Sequence, residues 1–135
     1  MAYAGRSIDG SEPRYKLPGG FHKSLELFNL HRASVGEYAG AVLVVEGFFD
    51  CIKVHQAGFS CVALMGSSLS GEQEKLLAAN FPAVVLLLDG DEAGRQGTED
   101  CLRRLVGQVF VKAIALPDGK QPDQLTPDEL RQVLE

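Results

Sequence analysis

Several carboxylates in this chain stand where they could share a divalent cation. Asp89 and Asp91 lie one residue apart in the stretch VVLLLDGDEAGRQG, residues 84–97. Like charges that close repel each other unless a cation sits between them or one takes up a proton. Glu46 and Asp50 follow another apolar run, in AVLVVEGFFD at 41–50, and Asp118 and Asp123 fall in LPDGKQPDQL at 116–125. Mg²⁺, an oxygen-seeking ion usually held by one or two carboxylates together with waters and phosphates, suits such a set. Gly47 and Gly90 sit directly against the acids, where a missing side chain lets backbone or phosphate come close.

Other readings of the pair Asp89/Asp91 exist. Asp-Gly is a common turn-maker, so an ordinary turn remains open. A calcium loop of the EF-hand type wants an oxygen ligand at its fifth position and Glu at its twelfth; here those positions hold Ala93 and Asp100. A phosphatase-type nucleophilic Asp would leave Glu46 unexplained. No Ser/His/Asp or Cys/His order suggests covalent catalysis, and Tyr3, Tyr15 and Tyr38 show no sign of being nucleophiles. His55 reads as a helix-surface residue.

The acids act together only if the fold gathers them. AVLVV at 41–45, CVALM at 61–65, VVLLL at 84–88 and VFVKAIAL at 109–116 are short continuous apolar runs. Such runs indicate strands buried on both faces, as in a parallel sheet. Between them lie helical patterns: FFDCIKVHQA at 48–57 before Gly58, SGEQEKLLAANF at 70–81 with Ser70 and Gln73 as a capping box, and AGRQGTEDCLRRLV at 93–106 before Gly107. A last helix is signalled by Thr126-Pro127-Asp128-Glu129. Strand and helix alternate four times, which predicts α/β architecture with a doubly wound, mainly parallel four-stranded sheet and helices on both faces. Functional groups in such sheets collect at the carboxyl ends of strands. If the first and third runs are neighbours, Glu46, Asp89 and Asp91 face one another. Gly66-Ser67-Ser68, leading into a helix, could add amide donors for an anion.

The first 38 residues differ. YAGRSID and PRYKL predict a short β-hairpin around GSEP, and a helix is expected over 21–33, with LPGGF at 17–21 as the loop between. The expected division is therefore 1–38 and 39–135.

At 135 residues, with 45% hydrophobic and 23% charged residues, the chain has the size and balance of one globular domain. Its net charge of −5 argues against a simple nucleic-acid-coating module. Residues 1–38 carry a balance of +1 plus His22 and His31, whereas residues 39–135 carry −6. An acidic body behind a mildly basic segment fits a metal site beside a polyanion-binding surface. No apolar run is long enough to span a membrane and no signal-peptide pattern opens the sequence. Cys51, Cys61 and Cys101 are scattered in apolar surroundings, as small core residues of a reducing compartment would be. The expected location is cytoplasmic, away from membranes.

Four of these segments, VVEGFFDCIKVHQAGF, ALMGSSLSGEQEKLL, VVLLLDGDEAGRQG and LPDGKQPDQL, resemble in order and spacing the toprim domain of bacterial replicative primases. GRSIDGSEPRYKLPGGFHKSLELFNLHRA resembles the end of the basic subdomain that precedes toprim in those enzymes. The resemblance implies metal-assisted nucleotidyl transfer, in which RNA primers are made on single-stranded DNA from nucleoside triphosphates. It assigns acid/base chemistry to Glu46 and Mg²⁺ or Mn²⁺ binding to Asp89 and Asp91. With Glu46 and Asp123 these complete the implied metal set, and Asp50 matches a second acid of the first motif. Gly47, Arg14 and Lys23 match positions near the nucleotide and nucleic-acid path. A replicative helicase would be engaged only through regions absent here.

There are departures. Primases commonly have Asp-Pro-Asp where this chain has Gln121-Pro122-Asp123, and Asn-Ser-Pro-Glu-Thr where it has Leu17-Pro18-Gly19-Gly20 after Lys16. No Cys/His zinc ribbon and no following helical region are present, so a piece of a longer, divergent or mobile-element primase is expected. Two alternatives stand beside primer synthesis: a toprim-type nuclease using the same acids, and a degenerate module that binds nucleic acid or a partner without chemistry. The PDGKxPD-like segment and the GR…FHKSLELF lead-in favour the primase.

Overall fold

Residues 3–35 and 40–134 are described by the computed structural model. The division expected between residues 38 and 39 falls outside them, as does Tyr38. Gly5–Arg6 (β1) and Tyr15–Lys16 (β2) form the antiparallel hairpin, followed by a 3-10 turn at Lys23–Leu25 and the short helix α1, Leu30–Ala33. Strand and helix then alternate: β3 Val42–Val45, α2 Phe48–Gln56, β4 Cys61–Ala63, α3 Gly71–Asn80, β5 Ala83–Leu86, α4 Glu92–Leu105 and β6 Phe110–Ala113. A 3-10 turn at Pro122–Gln124 precedes α5, Pro127–Leu134.

The four long-range strands form one parallel sheet in the order β4-β3-β5-β6. Side chains alternate across a strand, and both faces of β3 are covered. Val42 and Val44 join Val62, Leu64, Val84 and Leu86 under α3 and α4, against Leu77, Cys101 and Leu105. Leu43 and Val45 join Cys61, Ala63 and Leu87 under α2 and α5, against Cys51, Val54 and Leu130. Two-sided burial is why these strands read as unbroken apolar runs. Each fully buried Val or Leu contributes about 1.5–3 kcal/mol of transfer free energy. All three cysteines are buried and free, and among the described residues no helix is long and apolar enough to cross a membrane.

The helix expected over 21–33 does not form. Only Leu30–Ala33 is α-helical, because Asn29 adopts a left-handed conformation at φ 68° and the chain ahead of it runs along the sheet edge. Phe28 pairs antiparallel with Ala63, its N–H donating to the Ala63 carbonyl at 3.0 Å and its carbonyl accepting from Ala63 at 3.2 Å. The Asn29 amide donates to the Cys61 carbonyl at 3.0 Å. The open edge of β4 thus captures this segment, since unpaired strand groups bond whatever chain lies alongside. Buried Gln73 completes the attachment: its Nε2 lies 2.9–3.1 Å from the carbonyls of Lys23, Glu26 and Leu64. Ser70 caps α3 as expected and donates its hydroxyl to the Ser24 carbonyl.

The second run ends early as a strand, because Met65 turns left-handed at φ 63°. The fourth gives a strand only over 110–113, its tail Ile114 and Leu116 packing toward α2 and α5 instead. His55 is partly buried, its Nδ1 without a partner, rather than a freely exposed surface residue.

Candidate functional site

β3 and β5 are parallel neighbours with Val44 opposite Leu86, so the residues after them leave the sheet at the same end. There the Asp89 N–H donates to Glu46 Oε1 at 3.3 Å. Asp50, one turn into α2, is 7% exposed, and both its oxygens are engaged. Its Oδ2 accepts from the Gly47 N–H at 3.2 Å and its Oδ1 from the Asp123 N–H at 3.1 Å. A side chain at Gly47 would press against that Oδ2. Asp50 therefore fastens the 122–124 turn to the start of α2.

The loop 117–120 is fastened from the other side. The Gly90 N–H donates to the Lys120 carbonyl and the Gly119 N–H to the Gly90 carbonyl, each at 2.8 Å. A Cβ on Gly90 would collide with the Pro117 carbonyl oxygen, and one on Gly94 with the Asp89 carbonyl oxygen. The close approach expected at Gly90 is thus made by this loop's own backbone. Asp118 does not join the other acids: it is exposed and pairs with Arg95 at 2.9 Å.

Glu46, Gly47, Asp50, Asp89 and Asp123 line one cavity of about 280 Å³ with Gln121, Met65 and Gly66. Arg6, Arg14, Tyr15, Phe48 and Phe49 form its remaining wall. Asp91 does not line it. Its carboxylate caps α4, Oδ1 accepting from the Gly94 N–H at 2.7 Å, and it is exposed. Its charge still reaches both Glu46 and Asp89. Lys23 stands apart from the carboxylates, in a smaller recess with Ser24, Gly66 and Ser68.

Burial, and then the Asp89 charge, push Glu46 up to about 7. Burial followed by the Asp50 and Asp91 charges push Asp89 up to about 6. Asp50 is also raised, by burial first, against the hydrogen bonds that hold it down. The arrangement is thus short of positive charge. Asp89 Oδ1 and Asp123 Oδ1 are buried without any hydrogen-bond partner, a costly state for a carboxylate oxygen that nothing neutralises. Among the described residues no group of three or more acid, histidine or cysteine side chains is gathered closely enough to hold a metal ion by itself. An all-oxygen set, loosely gathered, with orphaned oxygens, fits an ion that completes its shell with water and phosphate. Glu46, Asp89 and Asp123 could hold it, with Asp91 at the rim.

A family model described as toprim-like matches residues 43–126. The chain belongs to the toprim-like family. Its toprim segment and lead-in together are 35% identical over 134 residues to a DNA primase of Clostridium acetobutylicum, covering 92% of this chain and 22% of that protein. This toprim chain thus spans about a fifth of that relative's length. Among solved structures it resembles a DNA primase domain from Pseudomonas aeruginosa, with 31% identity and a TM-score of 0.86 over 98% of this chain and 46% of that one. It also resembles a primase catalytic domain bound to single-stranded DNA, with 28% identity and a TM-score of 0.80 over 98% of this chain and 46% of that one.

Sequence reasoning missed the part of four members of the cavity wall, Arg6, Phe48, Phe49 and Gln121. Arg6 stacks over Phe49 at 4.9 Å and lies 5.9 Å from the Tyr15 ring centroid. Its signal was the Gly-Arg pair on the hairpin, and for Phe48 and Phe49 it was their place directly after Glu46-Gly47. Gln121 donates its amide to Asp89 Oδ2 at 3.2 Å. In the sequence it stands only as an amide in place of an acid.

Proposed function

We propose that the chain is the catalytic toprim domain of a DNA primase, with residues 39–135 as that domain and 1–38 as the end of a basic subdomain. The reaction is metal-dependent nucleotidyl transfer, forming RNA primers on a single-stranded DNA template from nucleoside triphosphates. The observation that carries the reading is the convergence of Glu46, Asp89 and Asp123 on one cavity walled by Arg6 and Arg14. Primase similarity over 98% of the chain, hairpin included, supports it against a toprim nuclease.

Asp89, Asp123 and Glu46 would hold Mg²⁺ or Mn²⁺, with Asp91 adding charge from the α4 cap. When bound, the ion neutralises the triphosphate and stabilises charge on the attacking and leaving oxygens. Glu46 takes the proton of the attacking ribose hydroxyl in this reading; burial and the Asp89 charge raise the pKa of its carboxyl, and a cation bound beside it would lower it again. Arg6 and Arg14 grip phosphate, and the guanidinium fork suits phosphate oxygens. Phe49 and Tyr15 carry the Arg6 guanidinium over their rings and so hold it at the cavity wall. Asp50, with both oxygens engaged, shapes the site rather than binding the ion. Lys23 shares a recess with Gly66, which also lines the cavity, and would meet the phosphates of a strand running past it. Free buried thiols suit a cytoplasmic setting.

The test is primer synthesis on a single-stranded template with four ribonucleoside triphosphates and Mg²⁺ or Mn²⁺. Short template-dependent RNA is expected, lost in Glu46→Gln and Asp89→Asn and kept in Asp118→Asn. Nicking of the template without incorporation would instead establish the nuclease. Template binding with neither activity and with no Mn²⁺ binding would establish a binding module.

A further inference from the structure

Gln121 is the polar residue of the cavity whose side chain reaches another member's carboxylate. Its position is built rather than accidental. The Gln121 N–H donates to Gln124 Oε1 at 2.9 Å, and the residues on either side are tied down by Gly90–Lys120 and by Asp123–Asp50. From this fixed backbone Nε2 reaches Asp89 Oδ2 at 3.2 Å, while Asp89 Oδ1 stays buried and unpartnered. Turned the other way, the amide would set its own oxygen against a carboxylate, so the ionised Asp89 selects the donor orientation.

We propose that Gln121 is a positioning residue for Asp89: its amide occupies Oδ2 and orients the carboxylate so that Oδ1 alone remains to bind a divalent cation. This rests on the metal-centre reading above. A carboxylate left to rotate must be ordered by the cation itself, and outer partners of this kind typically change metal affinity about 10–100-fold. A second acid at residue 121 would add a negative charge to the cation's surroundings; Gln121 adds none, and with its Nε2 on Asp89 Oδ2 it leaves Oδ1 as the open oxygen of Asp89.

The experiment is Mn²⁺ titration by electron paramagnetic resonance on the chain, Gln121→Met, Asp89→Asn and the double variant. Methionine matches glutamine in length and is uncharged but has no donor. Gln121→Met is expected to weaken Mn²⁺ binding about 10-fold or more with the fold retained, as read by circular dichroism. In Asp89→Asn the same substitution should produce no further loss, since coupled sites are not additive. A second readout needs no metal: the side-chain amide proton signals of Gln121 should shift in Asp89→Asn and stay in place in Asp118→Asn. Equal Mn²⁺ affinity of the chain and Gln121→Met overturns the proposal, and so does additivity in the double variant. If the unsubstituted chain binds no Mn²⁺, the metal centre itself fails, a distinguishable result.

Discussion

The Asp89 main-chain N–H donates to Glu46 Oε1, so the two acids at the ends of β3 and β5 are held together by the backbone of one of them. This bond favours ionised Glu46, yet burial and the neighbouring charges outweigh it. The carboxylates stay close because the sheet register puts them there, whatever their charge.

Without divalent cation, stability should therefore fall as pH rises toward neutrality. The folded-state pKa of Glu46 is raised from 4.5 to about 7 and that of Asp89 from 3.8 to about 6. Between the unfolded and folded values the native state binds more protons, so the unfolding free energy drops with increasing pH. The contribution is fully present below the unfolded values and lost as pH climbs through about 6 and about 7. Glu74 and Glu129, whose pKa values are lowered, act below this window. Thermal melts in EDTA from about pH 5 to about pH 7.5 should show a falling midpoint. Glu46→Gln should flatten the trend, and millimolar Mn²⁺ should reverse it.

Asp89→Asn removes one of the repelling charges while leaving an oxygen to accept from Gln121. It should raise the urea midpoint of the metal-free protein and weaken Mn²⁺ binding to a residual affinity that can still be titrated. Unfolding of this variant would mean the charge is structural.

Asp91 is to be judged as a helix cap. Asparagine caps as well as aspartate, so Asp91→Asn should leave stability nearly unchanged, while Asp91→Ala should cost about 1 kcal/mol by urea denaturation. An equal loss in both would show that charge at α4, and not the bond to the Gly94 N–H, matters.

At Gly90 the limit is steric. The Pro117 carbonyl oxygen fills the space a methyl would need, and main chain on both sides cannot turn aside. Gly90→Ala should destabilise by about 1–3 kcal/mol and release the 117–124 loop, seen as faster amide exchange at Gly119 and Asp123. Unchanged protection there would show that the loop docks without this contact.

Gln73→Leu keeps the volume of a buried side chain but leaves the carbonyls of Lys23, Glu26 and Leu64 short of a donor. A loss of about 2–3 kcal/mol is expected, with faster amide exchange over 23–28. Exchange that quickens uniformly, with no preference for this segment, would argue against a local clamp.

What the sequence disclosed, and what it hid, divides along the range of the forces involved. Gly58 and Gly107 end α2 and α4 at φ 96° and 91°, and the Ser70 cap accepts the Gln73 N–H at 3.0 Å; these are local events written in local residues. The apolar runs disclosed the sheet because burial on both faces leaves no polar alternation. The segment before Asn29 misled because its bond partner, Ala63, is remote in sequence and its amphipathic spacing imitates a helix. Glu46, Asp89 and Asp123 were legible as acids after strands. That Asp91 would turn its carboxylate onto α4, or that Asp50 would be saturated by Gly47 and Asp123, depended on loop geometry. Gln121 was hidden for the same reason: an amide gains meaning from the atom it reaches.

The sheet order carries one last consequence. β3 and β5 touch in space, yet α2, β4 and α3 lie between them in the chain, and Asp123 arrives later still. Contacts that close such long loops are slow to form. Late pairing of the central strands would leave the acids separately hydrated until then, and their mutual repulsion would load the final stage of assembly more than the early collapse. Cation availability should then govern chiefly how long the finished molecule persists before opening, and only weakly how fast it is reached.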